Sequence, residues 1–298
     1  MILTTMHEEL FTNKRIQYNY FNSSLLKVMT VNKSLQGFFP AFKFVGRRRE
    51  YKVRLKDGTR LICNSRYEAY NLAFYYYFAN ILNIYSREEM TIIQSLSKTL
   101  YSKLISLFTK EEIQNCSTGA NANFSMTLIG FYVLIRHLKP EVVVQTGVAS
   151  GVSSTLILQA LNINGNGNLI DIDYPNRSRG GYKNEENKID KVFTPENQEP
   201  GWLIPTNLRD RWDLRLGRSK EVLPDLDKCD FFYHDSDHSY QNMMFEYEWA
   251  YSRLPNHGIL ASDDIKWNNA WRDFHYKRGN MFPLFGYLEY GISQKNAV

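Results

Sequence analysis

Cysteine is scarce in this 298-residue chain. The three present, Cys63, Cys116 and Cys229, are an odd, scattered set without paired spacing, which excludes a disulfide framework and a cysteine zinc site. A reducing cytoplasm is the expectation. Long hydrophobic runs are also missing. The best candidate, Phe124 to Leu138, falls short of the roughly 18 apolar residues needed to span a bilayer and carries Arg136 and His137. The opening Met-Ile-Leu-Thr-Thr-Met-His-Glu-Glu lacks the basic-then-apolar order of a signal peptide. There is no internal repeat and no low-complexity tract. Charge of one sign is in small excess, +5 overall, much of it between Lys43 and Arg60 where Arg47, Arg48 and Arg49 stand together. This cluster is either a landing surface for an acidic partner or the wet side of a hairpin. The hairpin is the simpler reading, because Tyr51, Val53 and Leu55 alternate with Lys52, Arg54 and Lys56 before an Asp57-Gly58 turn. No nucleic-acid partner is expected.

What is present divides in two. Residues 1–118 read as a largely helical region with that one hairpin near 50–63, suited to substrate or oligomer contacts. Apolar residues recur at helical spacing from Arg66 to Tyr85, with the aromatic run Phe74 to Phe78 set to be buried. Ser86 with Glu89 is a capping box opening a helix to about Phe108. Asn115 to Asn123 is a small polar linker, and a further helix stops at Lys139-Pro140. Residues 119–298 change rhythm. The pattern predicts strands near 142–146, 169–173, 214–216, 230–234 and 258–261, alternating with helices near 153–161 and 240–254, and a tail near 284–293 that alternates like an edge strand. Such alternation predicts an α/β fold, a mostly parallel sheet covered on both faces. Residues 174–208 form a polar, proline-bearing segment too long to be a mere connector.

In an open parallel sheet ligands gather beyond the carboxyl ends of the strands. The first strand ends in Gln145-Thr146-Gly147-Val148-Ala149-Ser150-Gly151-Val152-Ser153, a glycine turn and helix start whose amides can approach a nucleoside closely. The second ends in Asp171-Ile172-Asp173, where an acid can accept from ribose hydroxyls; a plain surface position for Asp173 stays open. The fourth ends in His234-Asp235-Ser236-Asp237-His238 and the fifth in Ser262-Asp263-Asp264. Clustered carboxylates repel unless protonated or neutralised, and oxygen-rich sets suit magnesium or manganese. His238 is placed to take a proton from a substrate hydroxyl. The alternative is that these acids cap the following helices and His238 lies on the surface. The histidines at 234, 238, 257 and 275 lie in different elements, which argues against zinc.

This order of motifs resembles a class I S-adenosylmethionine-dependent methyltransferase. More narrowly, it is similar to the metal-dependent O-methyltransferases of the macrocin and mycinamicin type, over roughly residues 120–290. The resemblance implies a Rossmann-like, mostly parallel seven-stranded sheet with helices on both faces. It further implies that Gln145, Thr146, Gly147, Ala149, Gly151 and Ser153 form the cofactor turn and that Asp173 binds the ribose. Gly217, Arg218 and Ser219 would flank the adenine, and Gly201 to Pro205 would fold over the cofactor. Asp235 would contribute to cofactor binding and catalysis, Asp235, Asp263 and Asp264 would hold Mg2+ or Mn2+, and His238 would be the base. The acceptor would be a small molecule or glycan, with homo-oligomerisation left open. Trp202, Trp267 and Trp271 are candidates to stack on its ring. Two positions depart from the pattern: Gln145 stands where an acid is usual, and Arg218 where an acid is common. A nicotinamide oxidoreductase or epimerase would use similar turns, but the glycines are spaced G-x-x-x-G and no Tyr-x-x-x-Lys pair appears in context. A non-catalytic nucleoside-binding scaffold is the other rival.

Overall fold

The β-branched run at Val142–Thr146 (β4) forms a strand buried along nearly its whole length, as expected of a segment covered on both faces. The computed structural model describes residues 43–44, 51–55, 58, 60–63, 66–108, 124–174, 182–183, 189–190, 198–287 and 290–296. All belong to one compact unit, Pro40–Val298. The readings of residues 1–40, Arg47 to Arg49, the Asp57 turn position, Cys116 and Asn115 to Asn123 lie outside the described residues.

Around β4 the sheet grows in parallel. Asn168–Asp173 (β5) pairs with it on one side and is followed outward by Trp212–Leu216 (β8); Phe231–His234 (β9) and Ile259–Ser262 (β10) follow on the other. The chain therefore reverses its direction of growth between β4 and β9, and the loops leaving those two strands flank the switch point. The tail differs from the expected single edge strand. Met281–Tyr287 (β11) and Tyr290–Lys295 (β12) form an antiparallel pair, and β12 inserts beside β10, completing a seven-stranded sheet of order β11-β12-β10-β9-β4-β5-β8. The bulge between Pro283 and Phe285 breaks the period-two signal there.

Strand β9 shows how both faces are filled. Phe231 and Tyr233 meet Phe131 of the helix Met126–Leu138 (α3) at 5.9 and 4.7 Å between ring centres. Between them Phe232 turns to the other face and meets Trp249 of the helix Tyr240–Arg253 at 5.7 Å. Side chains buried this fully each stabilise by about 1.5–3 kcal/mol. On that second face Val144, Ile172, Met243, Tyr247, Leu260 and Phe274 join Phe232 in one core.

The N-terminal elements pack onto this frame. The helices Arg66–Ile81 (α1) and Arg87–Leu107 (α2) follow the hairpin of Tyr51–Arg54 (β2) and Arg60–Cys63 (β3), with Lys43–Phe44 (β1) added to it. Ser86 accepts the Glu89 N–H at 3.3 Å, as a capping residue does. Glu89 itself, 7% exposed, receives both Arg136 Nη2 (2.7 Å) and Nε (2.9 Å) as well as the Tyr132 hydroxyl (2.6 Å), fixing α2 to α3. Among the described residues, no helix is long and apolar enough to cross a membrane.

Candidate active site

The glycine turn after β4 is built from close backbone approaches. Gly147 and Gly151 have φ of 82° and 87°, conformations that glycine alone adopts readily. A Cβ at Gly147 would stand 1.8 Å from the carbonyl oxygen of Asp235, so the turn and the acid-bearing loop after β9 touch directly. A Cβ at Gly151 would meet Ile204 at 2.7 Å. Segment 201–204 lies against the turn through Gly201 N–H to Ala149 O and Leu203 N–H to Ser150 O, both 2.9 Å. Lys103 of α2 donates to the Trp202 carbonyl at 2.5 Å, tying the N-terminal helices to that segment. Trp202 is therefore a packed residue, 3% exposed, rather than an open stacking surface.

The residues read as cofactor contacts divide by orientation. Gln145 and Thr146 are fully buried and bound to protein. Gln145 Nε2 donates to Gly147 O and to Ser153 Oγ, both at 2.9 Å, and Thr146 Oγ1 donates to Glu246 at 2.6 Å. They shape the turn from behind. Asp173 Oδ2 accepts from the Val148 and Ala149 amides at 2.7 and 3.0 Å. Burial raises the Asp173 pKa, while those amides oppose the rise. Beyond it, Gly217 N–H donates to Asp173 O at 2.9 Å, and the Arg218 guanidinium lies 5.0 Å from the exposed Tyr174 ring. Ser219 Oγ donates to Asn242 at 3.1 Å. Asp173, Tyr174 and Gly217-Arg218-Ser219 thus share one edge of the sheet.

Beside this edge the acids converge. One ligand atom each from Asp235, His238 and Asp263 lies within 4.8 Å of the other two. The Asp235 and Asp263 carboxyls approach each other to within 4.8 Å. Burial and then Asp263 hold the Asp235 pKa well above the usual range. Burial, then Asp264, push Asp263 up to about 6. Two such groups must share a proton or a cation. Asp264 does not join the compact set. Its backbone turns left-handed (φ 48°) directly after Asp263, and its Oδ2 lies 3.8 Å from His238 Nδ1. His238 Nε2 faces the other way, 4.0 Å from Asp235 Oδ1. His238 is 7% exposed, its ring lies 5.9 Å from that of Trp267, and its backbone carbonyl accepts from Asn268 at 2.9 Å.

Reading the sequence for strand-end motifs passes over Glu246. This helix residue is 0% exposed and gathers His234 Nδ1 (2.6 Å), Thr146 Oγ1 (2.6 Å), Ser236 Oγ (2.7 Å) and Asn242 Nδ2 (3.0 Å). Burial favours its neutral form, but His234 and the hydrogen bonds of Ser219 and Thr146 outweigh that and bring it down to about 2. Its only sequence signal is a position eight residues after His238, on the helix that follows the acidic loop.

No curated protein matches the chain. Solved structures similar to it include cofactor-bound Rv0187 from MTB, at 13% identity and a TM-score of 0.48, covering 67% of this chain and 90% of that one. The O-methyltransferase from Bacillus cereus in complex with SAH is 14% identical, with a TM-score of 0.44 and coverage of 66% and 91%. The O-methyltransferase TomG from Streptomyces achromogenes, involved in tomaymycin synthesis and solved with SAM, is 14% identical, with a TM-score of 0.46 and coverage of 66% and 90%. The stretch from the middle of β4 to just past β10, residues 144–265, matches the family model described as a methyltransferase domain, and the glycine turn, Asp173, Asp235, His238, Glu246, Asp263 and Asp264 lie within it.

Proposed function

We propose that this chain is an S-adenosylmethionine-dependent O-methyltransferase, assisted by a divalent ion, that methylates a hydroxyl of a sugar or other small molecule. The observation that carries this reading is the direct contact between the glycine turn and the acid loop, Gly147 against Asp235. It brings the glycine turn and a carboxylate–imidazole cluster side by side. The family match over residues 144–265 supports the transferase class.

The donor set fits a hard ion. Two carboxyls brought together where burial penalises their charge gain from a cation between them, and the His238 imidazole lies beside that pair, left free to act as base. Magnesium or manganese, bound there, would lower the pKa of an acceptor hydroxyl. S-adenosylmethionine would supply a methyl group for in-line displacement, in which the acceptor oxygen bonds to the methyl carbon as the carbon–sulfur bond breaks. The chain's own part is alignment and proton removal. His238 takes the hydroxyl proton on Nε2, and the Asp264 carboxylate, 3.8 Å from Nδ1, stabilises the imidazolium that forms. Asp235 and Asp263 keep their place through the strand ends, and Asp173 fixes the turn that receives the ribose. Trp271 packs against Tyr247 in the core and Trp202 is covered, so of the three candidate tryptophans Trp267, 46% exposed beside His238, is the one placed to meet an acceptor ring. Residues 1–118 would complete the acceptor side or an oligomer contact.

Titration calorimetry tests this reading. S-adenosylmethionine should bind, and more tightly with magnesium present. Binding that magnesium does not change would favour a non-catalytic nucleoside-binding protein, a reading supported by the Gln145 amide being spent on the turn itself. No binding at all would remove both.

A further inference from the structure

We propose that Glu246 is a positioning residue that holds the Asp235–His238 loop against the glycine turn and aims Asp235 at Asp263. The inference rests on the metal-assisted reading above. It starts from a simple alternation. Side chains leaving an extended strand point to opposite sides in turn. His234 and Ser236, the residues on either side of Asp235, are both bonded to Glu246, through Oε2 at 2.6 Å and Oε1 at 2.7 Å. With both neighbours committed to one carboxylate, Asp235 faces the other way, where its Oδ2 accepts from the Tyr233 hydroxyl at 3.2 Å and Asp263 lies within 4.8 Å. The same Glu246 oxygen that receives His234 also receives Thr146, the residue before Gly147. The turn and the acid loop are therefore pinned to a single buried group.

Asn242, one helical turn before Glu246, extends the clamp. Its Nδ2 donates to Ser236 Oγ at 3.1 Å, to Asp237 O at 2.9 Å and to Glu246 Oε1 at 3.0 Å. A buried ion pair contributes little net stability in general. An ordinary core pair would need only His234. Besides Asn242 on its own helix and Ser219 after β8, the partners of Glu246 come from β4, from β9 and from the loop beyond it, all at the carboxyl end of the sheet. Groups that orient metal ligands from behind typically change metal affinity by about 10–100-fold when removed.

The test uses the full chain with Glu246→Gln and Ser236→Ala. Mn2+ binding is followed by electron paramagnetic resonance, S-adenosylhomocysteine binding by calorimetry, and packing by near-ultraviolet circular dichroism. Glu246→Gln should weaken Mn2+ by about 10-fold or more with a smaller loss of S-adenosylhomocysteine affinity and an unchanged aromatic spectrum. Ser236→Ala, which removes one strut, should move Mn2+ affinity in the same direction by less. A folded Glu246→Gln that binds Mn2+ as the parent does would overturn the inference, as would equal losses of both probes. Should Glu246→Gln not fold, unchanged Mn2+ affinity in Ser236→Ala overturns it in the same way. A parent chain that binds neither probe would overturn the methyltransferase reading, and this inference with it. A parent that binds both while the variants behave normally would overturn this inference alone.

Discussion

His238 sits between two acids that give its two ring nitrogens different surroundings. Asp264 faces Nδ1 at 3.8 Å and Asp235 faces Nε2 at 4.0 Å. If the imidazole is the base, His238→Ala should lower turnover by about 10²–10⁴-fold and leave S-adenosylhomocysteine affinity nearly unchanged. Turnover near that of the parent would remove the assignment. Asp173 acts elsewhere. Its Oδ2 satisfies the Val148 and Ala149 amides, so Asp173→Ala should loosen the turn and weaken cofactor binding about 10-fold, or about 1.4 kcal/mol; calorimetry giving equal affinities would contradict it. A third residue bears on stability. Asp171 is fully buried, bonded to the Trp212 indole at 2.8 Å, and burial pushes its pKa up to about 7. Because the folded value lies above the unfolded one, the native state binds the extra proton. The associated stability is present in full below about pH 4 and is lost as pH rises through about 7. Asp171→Asn should therefore flatten the decline in urea-unfolding free energy between pH 4 and 7. The same slope in both proteins would refute it.

Among the elements, the turn after β4 and the loop after β9 depend on each other. Gly147→Ala would put a methyl group into the Asp235 carbonyl and force a side chain into φ of 82°. The backbone strain alone costs about 1–3 kcal/mol, and Asp235 must move as well. We expect a lower unfolding midpoint together with weakened Mn2+ binding; a variant as stable as the parent would mean that the contact is not tight. These elements were also the most legible in the sequence. β-branched runs announce buried strands, and glycine immediately after one announces a turn that backbone alone can fill. The tail was less legible, since Pro283, Gly286 and a bulge interrupt the alternation of β11. The pairing of Asp264 with His238 could not be read either, because a single left-handed residue redirects the second of two adjacent acids. Glu246 was hidden for another reason: in a helix sequence a glutamate reads as a wet position, and only the tertiary contacts of Thr146, His234 and Ser236 reveal that it is enclosed.

Over the whole molecule, the carboxyl end of the sheet gathers the Asp173 edge, the glycine turn, the acid cluster and His238, while α2 braces the adjoining segment through Lys103 and Trp202. The proposed chemistry needs one joint site, in which an ion shared by Asp235 and Asp263 would lie beside a bound methyl donor. Crystals grown with S-adenosylhomocysteine and Mn2+, measured at the manganese absorption edge, test it most directly. One strong anomalous peak should lie between the Asp235 and Asp263 carboxylates, with the nucleoside against Asp173 and the glycine turn. A bound nucleoside with no peak between those acids, or a peak on other residues, would contradict it.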